Sequence, residues 1–360
     1  MKKVIKKIFI LFIIIVCTST IIHLFVPFFW GDYTQTTKIL HYQKNYANYN
    51  TLFFGGSLEY RHIHPTVVDA TLKKENIQLK SFNMGVDGHN IIQQLRDVDG
   101  VLRIKNPNLK YIFISLSSEP YFFKPNRNTA KWISWHNTKS YFNAMSILPT
   151  LEDDWAIKGR YMFYYTMSYI KNKLFFGIVS NLLQSYKDRA DLDLAYLGKN
   201  KDGFFSYNEE EKLLLQDYKW ADEFVLESNV VYKNDKRKRD SLTNSIAESF
   251  KNSSKLQKVN KAELNVLLNL VKKCNKKGID VYFILPPRAR TSYNFLLPLY
   301  NALPENRCIE LANPLQYPEF YDVRYGYNFH HLNLEGANLY SKKLGEKIGQ
   351  LFNKNISALQ

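Results

Sequence analysis

The first feature in the pattern of apolar and polar positions is a nearly unbroken apolar run from Ile8 to Trp30, interrupted only by Cys17, Thr18, Ser19, Thr20, His23 and Pro27. At about 1.5 Å rise per residue, a helix of this length can cross a hydrocarbon layer of about 30 Å. A cleavable export signal has a shorter apolar core and a small-x-small site, whereas this run ends in Phe28-Phe29-Trp30. Residues 1–33 are therefore expected to form an uncleaved anchor, embedded in the bilayer through residues 8–30. Lys2, Lys3, Lys6 and Lys7 before the run, and Trp30 and Tyr33 after it, put the N-terminus in the cytoplasm and the rest outside. No later segment reads as a second span.

Beyond the anchor, residues 34–50 read as a polar linker, and from residue 51 the pattern changes to short apolar strands alternating with amphipathic helices. Strands are expected at 49–54, 79–83, 111–116, 281–285 and, more weakly, 307–311. Helices are expected at about 90–102, across Leu264, Leu267, Leu268 and Val271 with Gly278 as the stop, and from Leu334 to Phe352. This alternation predicts an α/β domain over 51–360, with a parallel sheet covered on both faces. Between about 120 and 258 it gives way to aromatic-rich and charged sequence, read as a mostly helical insertion that serves as lid or docking surface.

Composition adds limits. With 45% hydrophobic and 15% aromatic residues the chain has ample material for a core. The net charge of +16 raises a nucleic-acid partner, but the densest basic cluster, Lys236-Arg237-Lys238-Arg239, lies among polar residues and reads as a solvated loop or exposed helix face. A chain exported from the cytoplasm does not meet chromosomal DNA, so no nucleic acid is expected. A basic surface facing anionic lipid or polymer stays open. Cys17, Cys274 and Cys308 show no metal or redox spacing, and at most one disulfide is open to the exported part. Ile14-Ile15-Val16 lacks the small residue that precedes a lipidated cysteine, which argues against lipidation of Cys17.

The candidate chemistry lies at the carboxyl ends of the expected strands, where open α/β sheets place their sites. Gly55-Gly56-Ser57 follows the first strand, Phe82-Asn83-Met84-Gly85-Val86-Asp87-Gly88 follows the second, and Asn328-Phe-His-His331-Leu-Asn333-Leu-Glu-Gly336-Ala337 opens the last helix. A lone serine after a glycine turn is common, and the ordered set is the signal. On these blocks, spanning roughly 50–120 and 260–350, the sequence resembles the SGNH, or GDSL-like, hydrolase superfamily. The resemblance implies a flavodoxin-like three-layer α/β/α fold with Ser57 as nucleophile and His331 as its base. It also implies an oxyanion hole built from the amides of Ser57 and Gly85, with no cofactor or metal. A serine hydroxyl needs such a base to become a competent nucleophile.

Two departures qualify the match. Many members carry an asparagine after the third strand, where this chain has Ser115-Leu116-Ser117-Ser118-Glu119; the acid expected three positions before the base is replaced by Asn328. Three arrangements stand open: a Ser57–His331 dyad oriented by Asn328, a carboxylate recruited from Asp322, or a catalytically silent descendant. The absence of the asparagine makes the chain similar to anchored members related to teichoic-acid D-alanyl transfer and alginate-type O-acetylation proteins. That likeness implies esterase or O-acyltransferase activity on an acylated envelope or exported polysaccharide, with a membrane acyltransferase as a candidate partner. The rival is a non-catalytic envelope assembly or polysaccharide-binding protein. Arg288 and Arg290 are candidates for binding an anionic substrate. His62 and His64 read as at most supporting residues and His330 as a packing or solvent-facing one, while Glu119, at the end of the third strand, stays open between a site role and a solvated loop.

Overall fold

The computed structural model describes residues 2–25, 30–116, 129–175, 196–214, 223–253, 258–288 and 293–357. Helix α1 (Lys2–Phe25) takes up the leading apolar run. Among the described residues it is the one helix long and apolar enough to cross a membrane. Its side chains are largely exposed, with one point of docking: Ser19 Oγ donates to the Lys173 carbonyl, and His23 Nε2 lies 3.2 Å from the same oxygen.

The segment read as a linker is instead largely helical. Helix α2 (Tyr33–Asn45) is capped by Asp32, whose Oδ1 accepts from the Gln35 amide, and it buries Gln35, Lys38, Ile39 and Tyr42. Its polar residues hid it, because Gln35 and Lys38 bond inward to protein groups.

The core is a five-stranded all-parallel sheet in the order β2-β1-β3-β4-β5. The strands are β1 (Thr51–Phe54), β2 (Ser81–Asn83), β3 (Tyr111–Ser115), β4 (Asp280–Leu285) and β5 (Cys308–Glu310). In register, Thr51 lies opposite both Ser81 and Tyr111, so the carboxyl ends of β1, β2 and β3 share one edge. Strand side chains are buried on both faces, which explains why the segments read as continuous apolar runs.

Parallel pairing requires crossovers, and helices supply them. Helices α3 (Ser57–His62) and α4 (Pro65–Lys73) follow β1, and α5 (Ile91–Val101) follows β2. The region 120–258 contributes α6 (Ala130–Ser134), α7 (Thr138–Ile147), α8 (Trp155–Leu174), α9 (Tyr207–Leu214), α10 (Glu223–Asn234) and α11 (Lys236–Lys251). The described residues of this region are thus mostly helical, and the basic cluster sits on the exposed start of α11. Helix α12 (Lys261–Asn275) leads into β4. There Gly278, at φ +71°, reverses the chain so that the Ile279 amide reaches the Cys274 carbonyl. After α13 (Leu297–Asn301) and β5, helix α14 (Leu334–Ser357) packs on α3 and α4. Cys17, Cys274 and Cys308 are all free thiols.

One core cluster bears a titratable group. His136 stacks on Trp135 at 3.8 Å, meets Tyr165 edge-on and directs Nδ1 at the Trp132 carbonyl, 2.9 Å away. A carbonyl only accepts, so Nδ1 carries the proton. Burial holds the imidazole pKa down at about 3, against 6.5 when free. As pH falls below 6.5 the unfolded chain takes up a proton that the native state refuses. The His136 contribution is therefore complete above 6.5 and drains away toward about 3.

His136→Phe keeps the stacking and removes this linkage. At pH 7.5 it is expected to cost about 1 kcal/mol for the lost hydrogen bond. Below pH 6.5 the gap to wild type should close by up to about 1.4 kcal/mol per pH unit and then reverse. Urea unfolding of the full chain at pH 7.5 and 5 checks this, and a gap independent of pH would rule it out.

Candidate active site

Ser57 is placed by the geometry of the turn between β1 and α3. Glu59, the third residue of α3, is buried and folds back so that its Oε2 accepts from the Gly56 amide at 2.9 Å. A Cβ on Gly55 would lie 2.0 Å from that carboxylate oxygen, so any other residue there would displace the Glu59 side chain from this cap. The half-buried Ser57 thereby opens the helix, its amide among those with no partner in the helix's own ladder.

The second block supports this turn from behind. Asn83, fully buried at the end of β2, donates through Nδ2 to the carbonyls of Glu59 and Ile63, each at 2.7 Å. Its Oδ1 accepts from the Gly85 amide at 2.8 Å. The Gly85 amide is thus turned toward Asn83, and the expected oxyanion role for Gly85 is not met in this arrangement. Glycine is needed here for packing instead, since a Cβ would approach the Tyr60 amide nitrogen to 2.5 Å.

Lys38 of α2 reaches the same place. Its Nζ donates to the carbonyls of Asn83, Gly85 and Gly203 at 3.0, 2.7 and 2.7 Å, and it lies 4.0 Å from the centre of the Tyr60 ring. Three acceptors match the three N–H bonds of an ammonium. Burial pushes its pKa well down, opposed chiefly by the Asp87 carboxylate.

His331 arrives from the other end of the chain on a tight loop before α14. The Tyr327 and Asn328 amides both donate to the His331 carbonyl, and Gly326 bridges Leu332. His331 Nε2 stands 2.8 Å from Ser57 Oγ, and its Nδ1 stands 3.1 Å from Asn328 Oδ1. The same Oδ1 accepts from the backbone amides of His330 and His331 at 2.9 and 3.0 Å. Those two donors fix the Asn328 side chain, because turning it over would face its NH2 against two N–H groups. The oxygen therefore faces Nδ1, Nδ1 carries the proton, and Nε2 offers its lone pair to the Ser57 hydroxyl. Asp322 is exposed and caps the Arg324 amide, so Asn328 occupies the place expected for an acid.

The insertion completes the site, through residues that the sequence reading left unassigned. Ser228 Oγ accepts from Asn328 Nδ2 at 3.2 Å, and Asn229 Nδ2 donates to the Tyr327 carbonyl at 2.9 Å. The Tyr207 ring meets the His331 ring edge-on at 4.7 Å and stacks on Tyr327 at 5.2 Å. Arg61, one helical turn after Ser57, bridges Asp87 at 2.9 Å and Glu210 at 2.8 Å, tying the loop after β2 to α9. Burial opposes the guanidinium charge, but Asp87 and Glu210 more than offset this, so its pKa is raised. The i, i+4 spacing of Arg61 from Ser57 was a usable signal. Nothing local marked Tyr207 or Ser228, which lie a hundred residues or more from their partners.

The remaining candidates separate clearly. His62 is buried, and its Nε2 accepts from the Leu332 amide at 2.9 Å, joining the end of α3 to the His331 loop. Burial, then the Arg61 cation, lowers its pKa to about 3. His64 stacks on Phe204 and pairs with Asn338, and the His330 ring stacks on His331. Arg288 follows β4 with its guanidinium over Phe295 and Tyr293; β4 stands two strands from β1, about 10 Å across the sheet. Arg290 and Glu119 lie outside the described residues. Among the described residues no cluster of His, Cys, Asp or Glu is arranged to hold a metal.

The chain matches no protein-family model and no curated protein sequence.

If Asn328 sets the tautomer, Asn328→Ala should slow the reaction of Ser57 with a fluorophosphonate probe by about tenfold or more. Asn328→Asp should speed it, and Asp322→Asn should leave it within about twofold. Loss of labelling in Asp322→Asn with the fold intact would make Asp322 the acid after all.

Proposed function

We propose that this chain is a membrane-anchored serine esterase or O-acyltransferase of SGNH type, acting outside the cytoplasm on an acylated envelope or exported polysaccharide. One observation carries this reading: Ser57 Oγ, His331 Nε2, His331 Nδ1 and Asn328 Oδ1 form a continuous hydrogen-bonded line at the carboxyl edge of a parallel sheet. The strand order 2-1-3-4-5, with α4 and α14 in one helical group and α5, α7 and α12 in another, supports a flavodoxin-like three-layer arrangement. The lysine-led apolar helix supports an anchor with its lysines in the cytoplasm.

In the reaction, His331 Nε2 takes the Ser57 proton as Oγ attacks the acyl carbonyl. The imidazolium so formed keeps its Nδ1–H on Asn328 Oδ1. The Ser57 amide donates to the developing oxyanion. Collapse of the tetrahedral intermediate expels an alkoxide, which Nε2–H protonates, leaving acyl-Ser57. His331 then deprotonates water or a sugar hydroxyl, which attacks the acyl-enzyme and frees Ser57. The first acceptor gives an esterase and the second a transferase. Asn328 orients the base through both halves without adding negative charge.

Ser57→Ala and His331→Ala are each expected to abolish nearly all turnover of a small acetyl ester, and the double variant should be little worse, since the two groups act as one unit. Additive losses would mean that one of them is misassigned. Adding oligosaccharide acceptor should divert acyl groups from water in a transferase and leave product unchanged in an esterase. If neither wild type nor Asn328→Asp shows Ser57-dependent turnover, the chain is a non-catalytic binding protein on this fold. A reporter active only outside the cytoplasm, fused after Gln360, should be active. Activity of a cytoplasmic reporter there would reverse the topology.

A further inference from the structure

A cavity of about 820 Å³ opens where α1 ends, and its lining is strongly basic. Arg96 and Arg103 come from α5 and the turn after it, Lys139 from α7, Lys173 from α8, and Lys273 and Lys277 from the end of α12 and the turn beyond it. Against these six cations the wall holds one carboxylate, Asp99, which pairs with Lys139 and Lys273. Arg96 is also held by Gln35, the Ser134 carbonyl and Asp97, but six cations against the carboxylates of Asp97 and Asp99 leave the lining net positive, which favours a bound anion.

The other walls indicate where such an anion would come from. His23 and Leu24, in the last turn of α1, and Trp30 just beyond line the cavity as well. A spanning helix meets the headgroup layer at its end, and tryptophan favours that layer. Helix α8, which reaches the cavity through Asn172 and Lys173, carries Phe163, Met167 and Ile170 at i, i+4, i+7 with each at least 37% exposed, an apolar stripe suited to acyl chains. Leu102, Arg103, Lys273 and Lys277 close crossover helices that run back from the carboxyl edge of the sheet. The cavity therefore lies toward the opposite end from Ser57 and belongs to a different site.

We infer that this cavity binds the phosphate headgroup of an anionic membrane lipid. The exposed Arg103 guanidinium suits a pair of phosphate oxygens, and the lysines add point charge. The inference rests on the reading of α1 as a membrane anchor, so the two are tested separately.

Alkaline carbonate extraction of membranes containing the full chain tests the anchor alone: an embedded chain stays in the pellet. The purified full chain in neutral detergent micelles is then titrated with short-chain phosphatidylglycerol, with phosphatidylcholine of equal chain length and with inorganic phosphate, bound lipid being counted by native mass spectrometry. Phosphatidylglycerol should bind at least about tenfold more tightly than phosphatidylcholine and weaken as salt is raised. Inorganic phosphate at the same concentration should not displace it. Arg103→Gln/Lys277→Gln, at two exposed positions, should weaken phosphatidylglycerol binding about tenfold, which is about 1.4 kcal/mol, whereas Lys236→Gln/Arg237→Gln on α11 should not. Equal binding of the two lipids, an unaffected cavity variant, or displacement by inorganic phosphate would each overturn the inference. A chain that stays in the pellet but shows no headgroup preference loses the cavity proposal and keeps the anchor; a chain extracted by carbonate loses the anchor reading.

Discussion

The arrangement at Ser57 depends on two backbone amides. The N–H groups of His330 and His331 both point at Asn328 Oδ1, and they leave that side chain one orientation. From this follow the tautomer of His331, the lone pair on Nε2 and the direction of the Ser57 proton. The loop that presents those amides is held in turn by the Leu332 amide on His62 and by Asn229 on the Tyr327 carbonyl. Chemistry at the sheet edge thus rests on backbone geometry fixed from two sides, one of them in the insertion.

Behind Ser57 the same logic recurs with a buried amine in place of amides. Lys38 ties α2 to the loop after β2 and to Gly203, and Asn83 ties that loop to α3. Helix α2 begins eight residues after the end of α1. The helix that follows the apolar one in the chain therefore itself forms part of the wall behind Ser57. An uncompensated buried polar group costs about 1–3 kcal/mol, so the full set of acceptors around Lys38 Nζ gives this joint one stable form.

The sheet was legible in the sequence because β1 to β4 are buried on both faces, and β1 and β4 are also bounded by Gly, Asn or Pro, so that pattern and punctuation agree. Ser57, Asn328 and His331 were legible because turn residues and a helix start mark them locally. Helix α2 was not, since inward-bonded Gln35 and Lys38 look the same in sequence as solvated ones. Gly85 shows a second limit. A glycine after a strand signals close approach, but whether the backbone beside it serves a substrate or a neighbouring side chain depends on Asn83, whose orientation the sequence does not specify. Tyr207, Glu210 and Ser228 were beyond reach for a third reason: their partners are distant along the chain, and aromatic or acidic residues in a helical insertion have no periodicity that points to a site.

An asparagine where a carboxylate is expected has two separable consequences. It removes a negative charge that would favour the imidazolium, an effect of about 4 kcal/mol at most for a pair 4 Å apart near a protein surface. It can also do worse, because an amide that presents its NH2 to the imidazole imposes the wrong tautomer and silences the base. The second penalty is the larger one mechanistically, since a protonated Nε2 cannot accept the serine proton at all. Here the His330 and His331 amides exclude that orientation, so only the first penalty remains. On the proposed reading His331 is a correctly poised base that lacks only charge stabilisation of its imidazolium, which slows transfer without preventing it.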